Sequence, residues 1–256
     1  SEHSTSYLNS KNVETGWLEK IMTRRIAKNA GFISPVSIDL RNAMKEKNIP
    51  GNFEVVYNVA DTTIFYPSTE KKQNGKFHFL HISTLDDAHK NISGMLRVAA
   101  RLSAIRNDVE FYFVGDGDTR PHEETAKKLN IYNTVAFFEG TKTTSEVAAL
   151  MRSSDCFVLF SNYENLPCVI TEALACGIPV VSTNVGGIPE HITKERGLLV
   201  PARDENALFE SLVLMLESIP NGKYDKKLLS SYAQQNFSYE KVSEKFQHLY
   251  QRVLIK

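Results

Sequence analysis

From residue 77 onward, short apolar runs alternate with helix-like stretches, and this alternation constrains the fold more than any other feature of the chain. The runs are FHFLHIS (77–83), VEFYFVG (109–115), VAFFEG (135–140), CFVLFS (156–161), PVVSTN (179–184) and the shorter GLLV (197–200). Between them lie NISGMLRVAARLSAI, PHEETAKKLN, TSEVAALMRSS and PCVITEALACG. ENALFESLVLMLESI follows the last run, and SYEKVSEKFQHLYQRVLI closes the chain. Strands that are apolar almost throughout are buried on both faces, and strands separated by helices pair in parallel. The pattern predicts an α/β fold, a doubly wound, Rossmann-like parallel sheet of about 170 residues. Ligands of such a sheet bind beyond the carboxyl ends of its strands.

The preceding segment reads differently. Residues 12–30 form an amphipathic helix with Trp17, Ile21, Met22 and Ile26 on one face. GFISPVS is a short strand, SIDLRNAMKEKN a helix capped by Ser37, and FEVVYN a second strand. DTTIFYPSTEKKQNGK, with Pro67, Gly75 and a run of charge, reads as a linker and places a domain boundary near residue 70. Residues 1–70 and 71–256 are thus expected to be distinct units, the first with a thin core. Its two strands are expected to extend a sheet outside this chain or to pair with a second copy as a homodimer.

Bulk properties exclude several classes. Thirty basic and thirty acidic residues balance, so there is no nucleic-acid footprint. No apolar stretch reaches the roughly 18 residues that span a membrane, and no leader pattern opens the chain, so a cytoplasmic location is expected. The three cysteines form no CxxC pair and read as reduced core thiols. The DGD at 116–118 lacks the later ligands of a calcium loop, so no metal site is expected.

Polar residues gather where the strands end. Lys90 follows the first strand, the turn GDGD with Gly115 and Asp116 the second, and Gly140 ends the third. NYENLP with Glu164 follows the fourth, and VGGIPE with Gly186, Gly187 and Glu190 the fifth. Pro167 suits the first turn of the helix in PCVITEALACG, and Gly177 suits its stop. The free N–H groups of that helix start would receive a phosphate, and Lys90 would neutralise it. Glu172, about one turn in, would accept hydrogen bonds from two ribose hydroxyls. These residue types describe a site for a nucleotide sugar, a diphosphate flanked by two polyhydroxyl groups.

The stretch resembles the retaining GT-B-fold glycosyltransferases of family 4, whose pattern is S-x-x-E-x-x-P…E-A-x-A-x-G-x-P-V-V…G-G-x-x-E. Ser161, Glu164, Pro167, Glu172, Ala173, Ala175, Gly177, Pro179, Val180, Val181, Gly186, Gly187 and Glu190 match it. HISTLDDAHKN resembles the family's donor-phosphate loop, and residues 36–67 resemble the end of its N-terminal domain. The resemblance implies that Glu164 sits by the donor sugar as the catalytic carboxylate, with Asn165 and Leu166 offering backbone amides. It implies that Glu172 binds ribose, that Lys90, aided by Thr171, binds the diphosphate, and that the loop around Glu139–Lys142 lies near the base. The reaction implied is sugar transfer to a glycan or lipid acceptor with retention. It needs no metal or other cofactor, and peripheral membrane contact would come through the full-length protein.

Two departures from the family stand out. Ser83-Thr84-Leu85 replaces a common G-R-L, so one phosphate cation is missing or supplied by a residue such as His89. Only the last portion of an acceptor-binding domain is recognisable, so this chain alone is expected to bind donor weakly and turn over little. The alternatives are a non-catalytic nucleotide-sugar-binding or assembly module and a nucleotide-sugar epimerase of related architecture. For Glu190 a plain helix-capping role competes with donor binding, and for Lys90 a solvated charge beside Asp86 and Asp87 does.

Overall fold

The computed structural model describes residues 17–68 and 75–254. The expected boundary near residue 70 and residues 12–16 of the first predicted helix lie outside them. Six strands form one all-parallel sheet, β1 Phe77–Ile82, β2 Val109–Val114, β3 Ala136–Gly140, β4 Cys156–Leu159, β5 Val180–Thr183 and β6 Gly197–Val200. Their spatial order is β3-β2-β1-β4-β5-β6. This is the doubly wound, Rossmann-like α/β arrangement. Strand order reverses between β1 and β4, which opens a crevice at their carboxyl ends. Every residue of β4 and β5 is buried, as a strand covered on both faces requires.

The helices are α1 Trp17–Asn29, α2 Ile38–Glu46, α3 Asp87–Lys90, α4 Ile92–Ser103, α5 Arg120–Lys128, α6 Thr144–Ser153, α7 Cys168–Ala175, α8 Glu205–Ser218, α9 Lys226–Phe237 and α10 Tyr239–Leu254. Ser37 caps α2 as expected, its Oγ accepting from Leu40 N. At the end of α7, Gly177 takes φ +73, its N–H donates to Leu174 O, and Ile178 N donates to Ala173 O. That paired closure satisfies two terminal carbonyls and requires a left-handed residue, which explains the glycine.

Two expectations need correction, and one helix was not expected. GFISPVS and FEVVYN form no regular strands. They pair in parallel only through Ile33 N to Asn52 O, Glu54 N to Ile33 O and Val56 N to Pro35 O. Pro35 has no N–H with which to continue the ladder. The front segment does not keep a thin core of its own either. Val36, Leu40, Ala43, Met44, Ala60 and Phe65 belong to the same buried cluster as the sheet. Helix α9 was not expected from the sequence. Its buried side chains Leu229, Ala233 and Phe237 fall four apart on one stripe, and the helix packs against α7. No helix among the described residues is long and apolar enough to cross a membrane.

Candidate functional site

The crevice between β1 and β4 is closed from below by a buried histidine. His81 Nδ1 donates to Val158 O at 2.9 Å, and its Nε2 accepts from Ser83 Oγ at 2.7 Å. Ser83 Oγ in turn accepts from Leu85 N at 3.0 Å. Burial pushes the imidazole pKa down to about 3, so it is a neutral strut. The chain of bonds shapes the loop after β1, where Leu85 takes φ +55.

That loop enters α3, and α3 delivers Lys90 into the crevice. Lys90 Nζ donates to Glu164 Oε1 at 2.5 Å, and the two side chains are 11% and 8% exposed. A buried ion pair is held only where geometry and further polar contacts compensate for lost hydration. One such contact comes from His89. Its Nε2 donates to Tyr163 O at 2.8 Å and lies 3.5 Å from Glu164 Oε1, and its ring stacks on Tyr163 with centroids 4.1 Å apart. Burial holds the His89 pKa below its ordinary value, with Glu164 opposing and Lys90 reinforcing that shift.

Asn162 staples the two loops together. Its backbone N donates to His89 O at 2.8 Å and its Nδ2 to Ala88 O at 2.8 Å. Its Oδ1 accepts from Arg203 Nε at 3.1 Å. Arg203 follows β6 with φ +65, a left-handed conformation that side chains other than glycine seldom adopt. Asn58 adds a second staple from the front segment, its Nδ2 donating to Leu166 O at 2.6 Å. Sequence reasoning placed Asn162 on this edge within NYENLP without giving it a role, and it missed Asn58 and Arg203. Asn58 and Asn162 each stand just past an apolar run, which was the available signal.

The glycines of the edge bring backbone against backbone. A Cβ on Gly115 would lie 1.7 Å from Ser83 O, and one on Gly117 2.2 Å from Thr84 O. A Cβ on Gly186, at φ +56, would lie 1.9 Å from Glu164 O. Gly187 N donates to Asn165 O at 2.7 Å. Gly140, at φ +63, has open space around its Cβ position, and its carbonyl accepts from Gly115 N at 3.1 Å. Asp116 stands between the two close-approach glycines of its turn. Beside Gly140, Lys142 Nζ pairs with Glu139 Oε2 at 3.1 Å.

The remaining candidates divide by what they touch. Pro167 is the cap residue of α7, in extended backbone. Leu166 is buried in the core, and Thr171 Oγ1 donates to Cys168 O within α7 at 2.7 Å. Glu172 is half-buried, and among the described residues nothing hydrogen-bonds to its carboxylate. Burial pushes its pKa up to about 7. Glu190 points elsewhere, its carboxylate accepting from Ile38 N and Asp39 N at 2.9 Å each. It thereby joins the turn after β5 to the start of α2. Among the described residues no three His, Cys, Asp or Glu side chains come together as a metal site.

The chain matches the family described as Glycosyl transferases group 1 over residues 76–218, more than half its length. It is 28% identical over 234 residues to N-acetyl-alpha-D-glucosaminyl L-malate synthase of Bacillus anthracis, covering 87% of this chain and 60% of that protein. It is 30% identical over 172 residues to the MMP alpha-(1->4)-mannosyltransferase of Mycolicibacterium hassiacum, covering 66% of this chain and 41% of that protein. The chain thus spans less than two thirds of the length of either relative. Sucrose-phosphate synthase from Thermosynechococcus elongatus superposes with a TM-score of 0.82 at 22% identity, over 94% of this chain and 63% of that one. Anabaena Alr3699/HepE, solved in complex with UDP, gives 0.82 at 19% identity, over 92% and 68%. These solved structures share the GT-B architecture, and the sequence match shows that the chain belongs to the glycosyl transferases group 1 family.

Proposed function

We propose that this chain is the donor-binding part of a glycosyltransferase that moves a sugar from a nucleoside diphosphate to a glycan or lipid acceptor, with retention of configuration. The observation that carries the reading is the buried Lys90–Glu164 pair at the point where strand order reverses. A lysine ammonium there neutralises the diphosphate as a compact charge. The start of α7, one residue past the Pro167 cap, turns its first N–H groups toward the same phosphates. Glu172 accepts hydrogen bonds from the ribose, and Glu164 faces the transferred sugar. Asn165 lies beside Glu164 and Gly140 beside the base. Residues 1–70 belong on the acceptor side of the cleft. No metal or other cofactor is part of this reading, in keeping with the family resemblance.

HepE was solved with UDP, which makes a uridine nucleotide the first candidate. A non-catalytic nucleotide-sugar-binding module is the second reading, favoured by Thr84 standing where the family commonly has arginine. Thermal-shift titration of the chain with UDP, GDP, ADP and dTDP tests both. A ligand selective for the folded state raises apparent stability by RT ln(1 + [L]/Kd). One nucleotide is expected to raise Tm, and Glu172→Ala is expected to weaken the affinity read from that response tenfold or more. Full binding by Glu172→Ala would sink the ribose assignment. Binding with no transfer or hydrolysis by the complete protein would favour the second reading.

A further inference from the structure

We infer that His89 is the reserve counter-ion of Glu164, taking up a proton from solvent when Lys90 leaves that carboxylate for the diphosphate of a bound donor. The inference rests on the donor-site reading above and adds a coupling that the reading does not contain. In the free chain Glu164 Oε1 holds Lys90 Nζ at 2.5 Å, so the cation meant for phosphate is already occupied. A diphosphate that recruits Lys90 strips the carboxylate of its close partner. Glu164 is only 6% exposed, and a buried carboxylate without a counter-charge is costly.

The cation within reach is His89, 3.5 Å away and fixed there by two restraints. Its Nε2 donates to Tyr163 O, and its ring lies on Tyr163 at an interplanar angle of 5°. With Nε2 already carrying the hydrogen, the incoming proton goes to Nδ1, and no atom has to move. The charged and titratable groups that face His89 are Glu164 on the β4–α7 loop and Lys90 and Asp86 on its own loop. Burial and Lys90 keep the ring neutral in the free chain, whereas Glu164 and Asp86 favour the proton. Moving Lys90 onto an anion removes one of the two opposing effects and leaves the favourable ones in place.

Two measurements decide the matter. NMR titration of the His89 imidazole in the ligand-free chain compares wild type with Lys90→Met, which removes the cation and keeps the side-chain volume. The pKa is expected to rise by about one unit or more, and to fall back in the double variant Lys90→Met/Glu164→Gln. A His89 pKa unmoved by Lys90→Met overturns the inference. In the second measurement, calorimetry with UDP at pH 7 in PIPES and in Tris, buffers of different ionisation enthalpy, reads protons taken up on binding. Wild type is expected to take up more protons than His89→Asn, whose amide still donates to Tyr163 O. Equal uptake by the two proteins overturns the inference and leaves the donor site standing. Failure of wild type to bind any of the four nucleotides counts against the donor site, with the ligand-free titration still deciding the role of His89.

Discussion

Under the proposed donor-binding role, ionisation of the Glu172 carboxyl group would affect ligand and fold in opposite senses. Its pKa lies at about 7 against an ordinary 4.5, because burial disfavours the charged form. The folded chain therefore binds this proton more tightly than the unfolded chain. Its contribution to stability is fully present below the unfolded value and is lost as pH rises through about 7. In the proposed donor site, in contrast, the ribose would be held by the ionised form. Nucleotide affinity is expected to rise from pH 6 to pH 8 in wild type and to stay low and flat in Glu172→Gln. In the absence of nucleotide, that variant is expected to be more stable than wild type at pH 8, by on the order of 2–3 kcal/mol, and little changed at pH 5. Urea titrations at the two pH values check it. A variant less stable at both would mean that the carboxylate has a structural partner.

At the scale of elements, the site is a set of loops that hold one another, and Glu190 is the joint between that set and α2. Its two backbone hydrogen bonds satisfy N–H groups that a helix start leaves open. Glu190→Ala is expected to cost about 1–2 kcal/mol and to speed amide exchange at the start of α2 while leaving the sheet protected. Unchanged exchange in α2 would remove Glu190 from this role. The six strands and α4, α5, α6 and α7 were legible because their apolar pattern comes from burial against the sheet, whereas α3, in the stretch TLDDAHKN, read as a loop. Lys90 was singled out in the loop after the first strand and Glu164 in the block that follows the fourth, and the structure brings these two together as an ion pair. The two front strands were not legible as a mere bridge, since FEVVYN has the composition of a strand and only Pro35 shows where the pairing stops. Helix α9 hid behind KKLLSSYAQQNF, whose single stripe of Leu229, Ala233 and Phe237 acquires meaning only beside α7. Gly186 and Gly187 read as a tight turn as well as donor contacts, and the structure adds that Gly115 and Gly186 make room for the carbonyls of Ser83 and Glu164. That addition depends on contacts between loops distant in sequence.

For the molecule as a whole, the open question is whether the front segment and the Rossmann-like sheet melt together. Leu40 is fully buried on α2, and its cluster runs without interruption into β1, β4 and β5. A second, smaller contact joins Val56 to Val242 and Leu249 of α10. Elements that share one core have no independent way to unfold, because opening either exposes apolar surface on both. Leu40→Ala deletes three carbons from that shared region and is expected to cost about 2–5 kcal/mol. The consequence that tests unity is the shape of the transition. Far-ultraviolet and near-ultraviolet circular dichroism should shift to lower urea together, as one coincident step with an unchanged slope. If residues 17–68 instead form an independent unit, the variant would split the transition, with an early loss of α2 and a later loss of the sheet at the wild-type midpoint. Coincidence has a functional corollary. Asn58 and Glu190 tie the front segment to the loops carrying Glu164, so the stability that nucleotide confers on the sheet would extend to α2. In that case UDP would slow amide exchange in α2 as well as around Lys90.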